Sequence, residues 1–123
     1  MRSYIVDTYA WVSYFEGKKE FRGAIEESEL YTPSIVLAEF SRILARKDVP
    51  KSKRDRVLGF IIERSLILSL DENNAVKAGE LAEKERLHLI DGIIYSYANE
   101  DMWVLTGDRH FKNRPFVNFI EGS

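Results

Sequence analysis

Apolar residues in this chain fall into short dense runs separated by longer stretches in which they recur at helical spacing. Ser3 to Val6 reads as a short buried strand, and Thr8 to Phe15 as a brief helix that Gly17-Lys18-Lys19 ends. A helix over 19 to 28 leads to a strand near Leu30-Tyr31-Thr32. Pro33 suits the first turn of the next helix, where its missing amide donor costs nothing, and that helix runs to about Lys47. Lys51 to Arg64 sets Val57, Leu58, Phe60, Ile61 and Ile62 among charges, again a helix, and Ser65 to Leu70 is a third strand. Asp71 is a good N-cap for a helix from Glu72 to about Arg86. His88-Leu89-Ile90-Asp91 opens a last helix ending near Asn99-Glu100, before strands at Met102 to Leu105 and Phe116 to Ile120.

Strands that alternate with helices predict an α/β fold, a parallel sheet with helices on both faces. In right-handed βαβ units the chain leaves every strand at its carboxyl end, so strand ends and the following helix starts share one rim. Four carboxylates fall at such places. Asp7 ends Tyr4-Ile5-Val6, Glu39 lies about two turns into the helix after the second strand, and Asp108 follows Val104-Leu105-Thr106-Gly107. Asp91 starts the helix that feeds the fourth strand.

Composition narrows the setting. The 123 residues fit one domain with a single core, and no linker, repeat or biased segment divides residues 1–123. The chain has no cysteine, which excludes disulfides, thiolate nucleophiles and cysteine metal sites and suits a cytoplasmic protein. The amino terminus meets Asp7 too soon for a signal peptide, and no apolar run approaches a membrane span. A net charge of −2 argues against holding nucleic acid by bulk charge. Local basic tracks remain: Arg42, Arg46 and Lys47 begin one, and Arg109-His110-Phe111-Lys112 follows Asp108.

Each acid has a structural reading of its own. Asp7 and Asp91 are good N-caps, Glu39 can pair with Arg42, and Asp108 suits a turn. Converging, the four would repel, so one would hold a proton unless a hard cation such as Mg²⁺ or Mn²⁺ were bound. Such an ion on oxygen ligands suits phosphodiester hydrolysis. His88 and His110 are too few for a histidine-rich zinc site, though His110 is close enough in sequence to Asp108 to touch phosphate. The Thr106 hydroxyl could orient an acid or a metal-bound water. Trp11, Tyr14 and Phe15 could stack on bases, but their spacing fits core residues better.

With these pieces in order, Ile5-Val6-Asp7-Thr8, Pro33 through Glu39, Leu89-Ile90-Asp91-Gly92-Ile93-Ile94 and Leu105-Thr106-Gly107-Asp108-Arg109-His110-Phe111, the chain resembles the PIN-domain ribonucleases. The resemblance is especially to the small VapC-type toxins of prokaryotic toxin–antitoxin pairs. The resemblance spans nearly the whole chain. It implies a five-stranded parallel sheet in the order 3-2-1-4-5, an acidic pocket for Mg²⁺ or Mn²⁺, and cleavage of single-stranded RNA. Asp7, Asp91 and Asp108 match metal-binding acids, Glu39 the fourth acid that completes the pocket or orients water, and Thr106 the hydroxyl beside the last acid. RNA contacts fall to Arg42, Arg46, Lys47, Arg109 and His110. A homodimer and a small cognate antitoxin are the implied partners. One departure is Gly107, where the family often has Asn or Asp.

Three other readings compete. A receiver-type phosphoacceptor domain has similar length, but Asp7 is followed by Thr8 rather than a second acid, and only Asp71 offers a phosphoacceptor. A PIN-like module that binds RNA or protein without cutting would not need all four acids. A structure-specific DNA nuclease of related fold would call for longer insertions than this compact chain holds.

Overall fold

The computed structural model describes residues 1–121. Five strands, β1 (Ser3–Val6), β2 (Glu29–Pro33), β3 (Leu66–Leu68), β4 (Trp103–Thr106) and β5 (Val117–Phe119), form one sheet in the order β3-β2-β1-β4-β5. Every pairing is parallel. The expected order is therefore borne out, and it differs from the 2-1-3-4-5 order of flavodoxin-like folds, the doubly wound arrangement that a receiver-type domain has.

Six helices join the strands: α1 (Thr8–Phe15), α2 (Lys19–Glu27), α3 (Ser34–Arg46), α4 (Lys51–Arg64), α5 (Glu72–Glu85) and α6 (Leu89–Tyr95). The sheet grows outward from β1 in one direction and, after β3, in the other. Right-handed crossovers then place α1 to α4 on one face and α5 and α6 on the opposite one. The packing agrees, with α1 on α2 and α3, α3 on α4, and α5 on α6.

The central strands are buried on both faces, as continuous apolar runs require. Ile5, Val6, Val104 and Leu105 are fully enclosed, in one cluster with Trp11, Phe21, Val36 and Ile61 of α1 to α4 and with Ile94 of α6. Trp11 is thus a core residue and cannot stack on a base. Its indole N–H donates to Thr32 Oγ1 at 3.1 Å, so its one polar atom is satisfied.

The boundaries that differ from expectation have local causes. Pro33 ends β2 and caps α3 from an extended conformation, one residue before the helix. β3 is an edge strand confined to the stretch that pairs with Tyr31, Thr32 and Pro33, so Ser65, Ser69 and Leu70 lie outside it. α6 stops at Tyr95 instead of running to Asn99. The amides of Tyr97 and Ala98 bond three residues back, which tightens the turn. Asn99 then takes the amides of Asp101 and Met102 on its side chain. A 3₁₀ turn, Arg109–Phe111, was not foreseen.

Candidate active site

Strand order reverses between β1 and β4, so the crevice at their carboxyl ends is the place where an open α/β sheet takes a ligand. The register fixes what stands there. Val6 pairs with Leu105, and the Asp7 amide donates to Leu105 O at 3.3 Å, which sets Asp7 beside Thr106. The Thr106 hydroxyl donates to Asp7 Oδ2, while its oxygen accepts the Asp108 amide at 2.9 Å. Thr106, 99 positions from Asp7, thereby ties the first acid to the backbone of the last.

Asp7 is 3% exposed. Its Oδ1 accepts the Ala10 amide at 2.8 Å, so it is the N-cap of α1 while it stands at the crevice between β1 and β4. Burial pushes its carboxyl up to about 7, against the lowering effect of the Thr106 and Ala10 hydrogen bonds, and the charges of Asp108 and Asp91 add to the rise. Asp91 occupies the first turn of α6 and is also held above the carboxylate range, first by burial, then by Asp108, with Glu39 contributing and the two histidines opposing. The position of α6 depends on Gly92. A Cβ there would lie 2.5 Å from Ala82 Cβ, so only glycine lets the helix seat on α5 at this depth.

Glu39, one turn and a half into α3, receives a hydrogen bond of 2.6 Å from the Thr8 hydroxyl. Together with His88, Leu89, Ile90, Asp91, Asp108 and His110 it lines an open cleft of about 550 Å³. The four acids singled out in the sequence therefore gather at one rim. Asp108 caps the 3₁₀ turn through the His110 amide at 2.9 Å.

The distribution of donors departs from the expected metal triad in one respect. Ligand atoms of Asp91, Asp108 and His110 lie within 4.8 Å of one another, and among the described residues Asp7 does not join that set. Two carboxylates and an imidazole near one point, with the raised carboxyl of Asp7 buried behind them, form a donor set that suits a hard or borderline dication.

Two residues of the site were missed. Thr8 orients Glu39, and its only signal in the sequence is that it follows Asp7 at the start of a helix. His88, given no place in the site by the sequence, lies edge-on to His110 with ring centroids 5.3 Å apart. Gly107 is explained by Tyr9, whose Cε1 sits 2.3 Å from where a Cβ would be, so the ring fills the space a side chain would take.

The predicted RNA contacts divide. Arg42, Arg46, Lys47 and Arg109 are exposed. Arg42 is three residues beyond Glu39, whereas Arg46 and Lys47 stand roughly 10 to 12 Å further along the helix axis than Glu39, away from the rim. Arg109 pairs with Glu121 at 3.1 Å. No described helix is long and apolar enough to cross a membrane.

The family model for the PIN domain matches residues 4–117. No curated protein sequence matches the chain significantly. Among solved structures, a toxin-antitoxin complex from Klebsiella pneumoniae is similar with a TM-score of 0.76 at 19% identity, over 96% of each chain. VapBC2 from Rickettsia felis, bound to a DNA fragment from its promoter, gives 0.74 at 22% identity over 96% of this chain and 97% of that one. DNA-bound VapBC from Salmonella typhimurium gives 0.74 at 19% identity, over 98% of each. At these identities the likeness is one of fold.

Proposed function

This chain belongs to the PIN domain family, and we propose that it is a divalent-metal-dependent endoribonuclease for single-stranded RNA and the toxin of a toxin–antitoxin pair. The observation that carries the reading is the gathering of Asp7, Glu39, Asp91 and Asp108 at the β1/β4 switch point, with Asp7 buried and its carboxyl raised to about 7. An acid kept at that cost is the mark of a functional site rather than of a cap, since a solvated Asp would cap α1 equally well.

In this proposal Asp91 and Asp108 would hold Mg²⁺ or Mn²⁺, with the buried carboxyl of Asp7 close to both. A cation held there would supply positive charge beside the scissile phosphate and make a water more acidic. Thr106 fixes Asp7 by its hydroxyl, so the carboxylate needs no reorganisation when it ionises. Glu39, held by Thr8, faces the cleft from α3 and takes the proton of the water. Arg42, Arg109 and His110 meet phosphates near the cut. Arg46 and Lys47 serve a strand that continues along α3, with contacts that carry no sequence information.

The partners follow the same reading. The neighbours named above are toxin–antitoxin assemblies. An apolar groove of about 260 Å³ between α1, α3 and α4, lined by Phe15, Phe40, Leu44 and Val57 with Lys47 and Lys53 at its edge, offers a small antitoxin both burial and charge. A homodimer and a cytoplasmic setting complete the proposal.

The test is hydrolysis of a labelled single-stranded RNA and its duplex, with Mg²⁺ or Mn²⁺. Cleavage of the single strand that falls by about two orders of magnitude or more in Asp91→Asn, with folding intact, is expected. Equal cleavage by that variant would discard the site.

A further inference from the structure

His110 makes this rim unlike a site built from acids alone. Its Nδ1 is 2.8 Å from Asp108 Oδ1 and 3.9 Å from Asp91 Oδ2. Two donors on one ion with bonds of about 2.1 Å can lie at most about 4.2 Å apart. The nitrogen is within that distance of both oxygens. The ring is held from two sides, by its own backbone amide on Asp108 and by His88 edge-on. Two acceptor atoms 2.8 Å apart also need something positive between them, either a proton on Nδ1 or a cation.

We infer that His110 is a nitrogen ligand of the bound cation, so that the site selects a first-row transition dication over Mg²⁺. The inference rests on the metal-dependent reading of the acids. Imidazole binds transition ions well and Mg²⁺ poorly, because Mg²⁺ prefers water and carboxylate oxygens. Of the two histidines, only His110 belongs to the donor set; His88 positions its ring.

Mn²⁺ added to the full chain reports the ligand directly by electron spin echo spectroscopy. The expected result is ¹⁴N modulation of the imidazole type, present in His88→Asn, absent in His110→Asn, and replaced by the ¹⁵N pattern when histidine is ¹⁵N-labelled. Competition should show Mn²⁺ favoured over Mg²⁺ by about tenfold or more, a preference that shrinks several-fold in His110→Asn. Mn²⁺ bound through Asp91 and Asp108 without a nitrogen signal would overturn the inference and leave the nuclease reading standing, with Nδ1 a hydrogen-bond donor to Asp108. A chain that binds neither ion would overturn both.

Discussion

Replacing Asp7 by Asn should make the protein more stable and inactive, and the stabilisation should grow with pH. In the unfolded chain this carboxyl ionises at about 3.8, whereas burial in the fold delays ionisation to about 7. The native state therefore binds more protons between those values, and stability falls as pH rises through the window. Below about 3.8 the penalty is absent; above about 7 it is complete, at about 4 kcal/mol for the full shift. Asn carries no such penalty. It keeps an acceptor for the Ala10 amide but loses the hydrogen bond from Thr106, a cost of about 1 kcal/mol. Net stabilisation at pH 8 is then about 2 to 3 kcal/mol, and between pH 5 and pH 8 the gap between variant and wild type should widen by a similar amount. Urea unfolding across that range, in the presence of chelator, measures it directly. A constant gap, or a variant no more stable at pH 8, would refute the claim that Asp7 is a buried carboxyl held near neutrality by its site.

Other consequences are as specific. Gly107→Ala should cost about 1 to 3 kcal/mol in denaturant unfolding because its methyl meets the Tyr9 ring and Ile120 O, and shortening Tyr9 to Ala in the same chain should recover only the part due to the ring. Thr8→Val removes the hydrogen bond to Glu39 and should slow RNA cleavage by about tenfold or more, with a change in stability of under about 1 kcal/mol. Charge reversal at Arg46 and Lys47 should weaken RNA binding and flatten its dependence on salt, measured by fluorescence anisotropy; unchanged binding would remove those residues from the RNA track.

Much of the architecture was legible because local signals and global topology agree in this chain. Asp7 and Asp71 cap α1 and α5 as their positions predict, and the runs at Ile5-Val6 and Val104-Leu105 are dense enough to be central strands. The convergence of the acids was legible too, since strand ends of a parallel sheet share a rim whatever the side chains. What escaped depended on contacts between distant residues. That the Thr106 hydroxyl orients an acid was expected, but that the acid is Asp7 follows from the register of β1 on β4, which no local pattern encodes. Thr8 and Glu39 meet because α1 packs on α3, and Tyr9 compensates Gly107 because α1 also packs on β4. The place of His110 depends on a 3₁₀ turn of three residues, too short to leave a period in the sequence.

The central claim is that the acids at the switch point act through a bound dication on single-stranded RNA. One time course tests it: wild-type protein cleaving a labelled single strand with Mn²⁺, excess chelator added partway, and Mn²⁺ then restored. The account predicts that cleavage stops on chelation and resumes at its former rate when the ion returns. Cleavage that continues unchanged through the chelator phase would contradict it.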